Sequence, residues 1–205
     1  MNAAIHGAFR RDLDRFLRAL DAFGDGDRKR AEQLGTAWDN FDDQLRRHHL
    51  GEHEIAWPAL EAVGVSRDVL AEMDAEHDRL AAALGTATTA VARFTASASA
   101  DEARIAHAAI AALQTVTVEH LDHEEADIEP VYLSKRDSPQ IKAMGRKFGQ
   151  ASPAVSGRFV AWVTDGASPD EKAAIRRDIP GPVLAILNGV FGRSYRRDVA
   201  SVWKA

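Results

Sequence analysis

The chain has 205 residues, 45% hydrophobic and 28% charged, a composition typical of a globular domain with a sizeable core. It contains no cysteine, which excludes disulfides, iron–sulfur clusters and thiolate zinc sites. The longest apolar stretch, Val183 to Phe191, is too short to span a bilayer. Mixed charges at Arg10–Arg15 and the lack of a signal-peptide core favour a cytoplasmic protein with no transmembrane segment.

The net charge of −5 is unevenly distributed along the chain. Residues 1–134 have 13 Lys and Arg against 25 Asp and Glu, a net charge of −12. Residues 135–205 have 13 against 6, a net charge of +7. The acidic part suits cation binding, and we expect the basic part to dock on its acidic neighbour rather than on nucleic acid.

Four long segments with a 3.6-residue apolar period predict four helices, and no segment is typical of a strand. The first two are expected at about residues 2–23 and 28–63, with Gly64 ending the second. Ser66 is expected to cap the third, and Ser99 with Glu102 forms a capping-box pattern that begins the fourth. Pro58 and Pro130 are expected to loosen the last turns of helices two and four.

Short connections between these helices predict an all-α, up-down-up-down four-helix bundle over residues 1–137. Residues 138–205 are predicted to form a basic helical extension packed on that bundle. Helices are expected to begin at Ser138-Pro139 and Ser168-Pro169, with a break at Ser152-Pro153. After the break at Pro180–Pro182, a final helix is expected to continue to about Trp203.

One polar pattern occurs twice at identical spacing. His48-x3-Glu52-x5-Pro58 recurs as His120-x3-Glu124-x5-Pro130. Residues i and i+4 lie on the same face of a helix, so each copy directs an imidazole and a carboxylate to one point.

These polar residues are members of the apolar stripes rather than neighbours of them. His77 belongs to the third stripe, and His6 lies at the edge of the first. Unpaired buried carboxylates and imidazolium groups destabilise a core by several kcal/mol, which a pair of bound cations would offset. The predicted metal ligands are His6, His48, Glu52, His77, His120 and Glu124.

The nitrogen and oxygen donors suit iron, manganese or zinc. With four His, two bridging Glu and a bridging oxygen, two octahedral ions would keep roughly two positions open for an exogenous ligand. A lone core His is more often hydrogen-bonded than a ligand, so the prediction rests on the combined set. His49 is the next candidate, as an extra ligand or an outer contact, whereas His53 and His123 are expected at the rim or surface.

The order His6, His48-x3-Glu52, His77, His120-x3-Glu124 resembles the hemerythrin-like (HHE cation-binding) family, over about residues 1–134. The resemblance implies two iron ions with a bridging oxo or hydroxo group, bridged by Glu52 and Glu124. It implies reaction with O2 or a related small ligand.

Oxygen-carrying members have a fifth His from an HxxxH pair on the third helix, where this chain has Met73 and Ala81. We expect a more open site, or one completed by His49 or water. That favours peroxide decomposition, as in a catalase, or nitric oxide handling over reversible oxygen carriage. The alternative is an iron- or oxygen-responsive sensor or iron-binding module without turnover.

Overall fold

The computed structural model describes residues 1–204, which are helical apart from short connections and contain no β-strand in that range. The all-α prediction is confirmed. The α-helices are α1 (Asn2–Asp21), α2 (Arg28–Gly51), α3 (Trp57–Glu61), α4 (Arg67–Ser97), α5 (Ala100–Asp127), α6 (Glu129–Lys135), α7 (Pro139–Phe148), α8 (Pro153–Thr164), α9 (Pro169–Asp178), α10 (Gly181–Ile186) and α11 (Arg193–Tyr195). Single π-helical turns occur at Glu52–Ala56, Leu187–Phe191 and Arg196–Ala200, and a 3-10 turn at Val202–Lys204.

Side-chain caps fix the starts of the long helices where the sequence predicts them. Ser66 accepts a hydrogen bond from the backbone N–H of Asp68, and Ser99 accepts one from that of Glu102. The capping box at Ser99 is only half formed, because the Glu102 carboxylate pairs with Arg93 at 2.6 Å instead of returning to the Ser99 N–H. A complete capping box forms at Ser168 with Glu171.

The π-helical turn at Glu52–Ala56 changes the register of the second helical segment. The backbone N–H of Trp57 donates to the carbonyl of Glu52, five residues earlier. The extra residue rotates the chain beyond it, so Ala56 and Leu60 are buried where the 3.6-residue period predicts Ile55 and Ala59. Pro58, which has no N–H to donate, follows immediately and accounts for the loosened turn.

The long helices enclose one apolar core. α4 packs against α5 and α2, and α1 packs against α5. The stripe that the 3.6-residue period predicts on α4 is buried throughout, at Leu70, Met73, His77, Leu80, Leu84, Ala87, Val91 and Phe94. Aromatic edges interlock across helices, as between Phe9 and Phe41 at 5.8 Å and Phe16 and Trp38 at 5.2 Å.

The C-terminal segments share this core. Trp162, Tyr195 and Val199 belong to the same apolar cluster as Phe9. Ile141 of α7 joins a second, smaller cluster at the end of the bundle. The division into residues 1–137 and 138–205 stays a prediction. Among the described residues, no helix has both the length and the apolarity that crossing a membrane requires.

Candidate metal centre

Two groups of side chains that could bind metal meet between the long helices, near one end of the main core. The first group is His6, His48, Glu52 and Glu124, and the second is His49, Glu52, His77 and His120. Within each group the candidate donor atoms lie within 4.8 Å of one another. Every ligand predicted from the sequence is therefore in one of the two groups, together with His49.

The first group joins α1, α2 and α5. His6 Nε2 lies 3.1 Å from Glu124 Oε2, and His48 Nε2 lies 3.1 Å from Glu52 Oε1. Asn2 donates its amide N–H to the other oxygen of Glu124, Oε1, at 2.9 Å. Glu124 thus presents one oxygen to the group while Asn2 holds the second.

The second group joins α2, α4 and α5. His77 Nε2 lies 3.2 Å from His120 Nε2 and 3.4 Å from Glu52 Oε2. The His49 ring stacks on the His77 ring with centroids 4.1 Å apart. Glu52 therefore directs Oε1 to one group and Oε2 to the other, and is the carboxylate that both groups share.

Five buried polar atoms of these side chains lack any hydrogen-bond partner: His6 Nε2, His48 Nε2, His49 Nε2, Glu52 Oε2 and Glu124 Oε2. The approach of His6 Nε2 to Glu124 Oε2 lacks the alignment of a hydrogen bond. Buried polar atoms in native proteins nearly always have a partner, and each exception costs about 1–3 kcal/mol. Five such atoms converging on two points fit a pair of cations that satisfies them all.

The electrostatic environment keeps most of these imidazoles neutral. Burial lowers the pKa of His48 well below its usual value, and the nearby imidazoles lower it further. Burial also lowers the pKa of His49, and it lowers that of His77 to about 4. For His120, burial lowers the pKa more than the Glu76 carboxylate raises it. Neutral imidazole has the nitrogen lone pair that metal binding requires.

The two buried carboxylates have opposite environments. Burial raises the pKa of Glu52 well above its usual value, and the nearby carboxylates of Glu124 and Asp74 raise it further. Burial also acts to raise the pKa of Glu124, but the contacts with His6 and Asn2 outweigh it and leave the pKa lowered. Glu52 is thus the group whose charge most needs a compensating cation.

Carboxylates outside the two groups orient the imidazoles. Glu76 accepts hydrogen bonds at 2.9 Å from Nδ1 of His120 and from Nδ1 of His123. Glu125 accepts at 2.8 Å from Nδ1 of His6 and from Arg10. With the proton on Nδ1, the lone pair of His120 and His6 is on Nε2, which faces the group.

A third outer carboxylate lies at the rim. Asp74 accepts a hydrogen bond of 2.8 Å from the Trp57 indole and lies 3.8 Å from His77 Nδ1. Trp57 in turn stacks over the His77 ring at 5.8 Å. The side chain of His53, 64% exposed, pairs with Asp74, and His123 pairs with Glu76, so both lie outside the two groups.

Sequence reasoning missed these outer groups. Asn2, Asp74 and Glu76 give no periodic signal, because they lie at the flanks of their helices and reach the site only through contacts between helices. Glu125 directly follows Glu124 in the sequence but is not part of the repeated His-x3-Glu pattern. A polar residue beside each ligand in sequence is the only local hint for Glu76 and Glu125.

The donor set and its environment fit divalent or trivalent cations of the first transition row. It consists of imidazole nitrogens and carboxylate oxygens, without thiolates. Glu76 and Glu125 hold the rings of His120 and His6 through Nδ1, as carboxylates commonly do for histidine metal ligands. The two groups are therefore able to hold metal.

Comparison with known families agrees with this chemistry. The family model of the hemerythrin HHE cation-binding domain matches residues 3–132. The match covers more than half of the chain, and the chain belongs to this family. The resemblance inferred from the His and Glu order is confirmed. No curated protein and no solved structure matches the chain.

Proposed function

We propose that this chain is a non-haem di-iron protein whose centre binds or reacts with O2, hydrogen peroxide or nitric oxide. The observation that carries the proposal is the sharing of Glu52 between two groups, each with four candidate donor residues. One ion would not use both groups, whereas two ions joined by the Glu52 carboxylate would. The proposed ligands are those predicted from the sequence, and manganese or zinc would suit the same donors.

The proposal includes an up-down-up-down arrangement of α1, α2, α4 and α5. Contacts between opposite ends of neighbouring helices support it. Asn2, at the start of α1, contacts Glu124 near the end of α5, and Arg93, near the end of α4, contacts Glu102 near the start of α5. His48 approaches Phe9 across α1 and α2, with ring centroids at 5.3 Å. The cytoplasmic location stays a prediction.

When bound, iron would supply the redox chemistry that O2, peroxide or nitric oxide requires. The residues of the chain would hold and orient it. Glu76 and Glu125 fix the tautomers of His120 and His6, so that Nε2 is the donor. Buried Phe9 and Met73 limit water around the ligands.

Anaerobic titration with ferrous iron tests the metal centre. We expect about two iron ions per chain, and a rise in melting temperature because the ions bind only the folded state. Glu124→Ala should abolish the binding of two ions per chain while the helix content stays as in wild type. His107→Ala is the matched control, since His107 pairs with Asp21 far from both groups. A folded protein with one ion or none, or an unchanged melting temperature, would contradict the proposal.

Turnover of hydrogen peroxide or nitric oxide distinguishes an enzyme from a sensor or an iron-binding module. We expect the iron-loaded protein to decompose hydrogen peroxide more readily than it holds O2. A sensor or iron-binding module would bind iron without turnover and would need an output surface. Exposed Arg176, Arg177 and Arg193 of the basic extension are the feature that favours this second candidate. Two bound iron ions with negligible peroxide and nitric oxide turnover would favour the sensor.

A further inference from the structure

The third long helix offers no second imidazole to the centre. Met73, four residues before His77, is fully buried in the smaller apolar cluster. Ala81, four residues after His77, is exposed. If only the ligands predicted from helical spacing are counted, the second group therefore has three donor residues: Glu52, His77 and His120.

His49 brings an imidazole to the second group from α2 instead. Its ring lies parallel to that of His77, with an interplanar angle of 21°, and edge-on to that of His120 at 5.6 Å. Its Nε2 is buried and has no hydrogen-bond partner. A histidine kept only for packing would be expected to have a partner for that atom.

Adjacent residues on a straight helix point about 100° apart, so His48 and His49 diverge. They diverge into two different groups here, His48 with His6 and His49 with His77. One turn of α2 thus contributes to both sides of Glu52. The local arrangement accounts for two consecutive His residues without assigning either to the surface.

We infer that His49 is a metal ligand that supplies, from the second long helix, the imidazole that the third helix lacks. The inference rests on the proposed metal centre and deepens it. With His49 each group has four donor residues, and Glu52 belongs to both. The ligand set is then five imidazoles and two carboxylates rather than four and two.

The test is binding of Co2+, whose absorption reports its coordination, to the full chain and to single and double variants. Wild type should bind two ions. His49→Ala should bind the second ion at least about 10–100-fold more weakly, the range known for losing even an outer-sphere partner. His49→Gln, which keeps most of the side-chain volume, should show the same loss, and far-UV circular dichroism should be unchanged in both.

Two double variants test whether an imidazole on α4 can take over the role of His49. Adding Met73→His to His49→Ala returns an imidazole to the buried face four residues from His77 and should restore the second ion. Adding Ala81→His is the matched control and should not, because position 81 is exposed. If both His49 variants bind two ions with wild-type affinity, the role of His49 as a ligand is wrong but the metal centre still stands. Failure of wild type to bind Co2+ would overturn the metal centre as well.

Discussion

Trp162 donates its indole N–H to Oδ2 of Asp12 at 2.8 Å, and both side chains are buried although they are 150 residues apart in sequence. Arg11 and Arg15 contact the other oxygen of Asp12, Oδ1, at 2.9 and 3.2 Å. The Trp162 ring also packs on Phe9 at 4.9 Å. Trp162 of the C-terminal extension thus donates a hydrogen bond to a buried carboxylate of α1 and packs in the main apolar core.

Replacing Trp162 by Phe tests this connection. The ring contact with Phe9 is largely kept, but the Asp12 oxygen loses its donor, so we expect a loss of about 1–3 kcal/mol in the free energy of unfolding. Urea unfolding of the full chain measures it. Arg47→Ala is the control, because its exposed pair with Asp43 should contribute less than about 1 kcal/mol. Equal unfolding free energies for Trp162→Phe and wild type would contradict the role of the indole.

Glu52→Gln should stabilise the metal-free protein while removing its response to metal. Burial raises the pKa of Glu52 well above its usual value, so ionisation of this carboxyl in the unfolded state favours unfolding at pH 7, and Gln, which does not titrate, removes that effect. We expect a gain of about 1–3 kcal/mol, or a few degrees at roughly 2–4 °C per kcal/mol. Thermal melts with and without metal measure both effects.

Glu119→Gln, the same substitution at an exposed position of α5, controls for the change in net charge. It should leave the metal-free melting temperature and the metal response as in wild type. A Glu52→Gln protein that is less stable than wild type without metal would mean that the Glu52 carboxylate is well satisfied in the metal-free fold.

The metal-free protein should lose stability on acidification below about pH 6.5. Burial lowers the pKa of His77 to about 4, among His49, His120, Glu52 and Asp74. The unfolded state, with an ordinary histidine pKa of about 6.5, binds the proton first, so stability is full above pH 6.5 and falls toward pH 4. Melting temperatures between pH 7 and 4, with chelator present, measure the slope.

His77→Gln should make that slope shallower, because it removes one group that takes up a proton only on unfolding. The raised pKa values of His6 and Glu52 act in the opposite direction and limit the total change. His107→Gln, away from the centre, should leave the slope as in wild type. The same slope in His77→Gln and in wild type would contradict the neutral state of the buried His77 imidazole.

Glu76→Gln tests the outer carboxylate of the second group. The amide keeps the size of the side chain but accepts less strongly from His120 and His123, so we expect metal affinity to fall by roughly 10–100-fold. Competition with a chelator of known affinity measures the loss. Glu72→Gln, at an exposed position one turn earlier on α4, should have no effect. Equal losses in both variants would point to general charge rather than to orientation.

The periodicity of the chain was sufficient to predict the long helices, their buried stripes up to Glu52 in the second helix, and six of the seven residues that meet at the centre. Helical spacing is local, so a histidine four residues before a glutamate reveals a shared face without knowledge of any partner helix. The same local rule failed beyond Glu52, where a π-helical turn shifts the buried face from Ile55 to Ala56.

Tertiary structure alone decided the contacts between helices. It brought His49 to His77, Glu76 to His120 and Asn2 to Glu124. It also brought the indole N–H of Trp162 to the carboxylate of Asp12, a hydrogen bond that joins the basic extension to α1. These pairings depend on how helices distant in sequence are rotated and shifted against one another. That rotation is set by packing of the whole core, which no local spacing encodes.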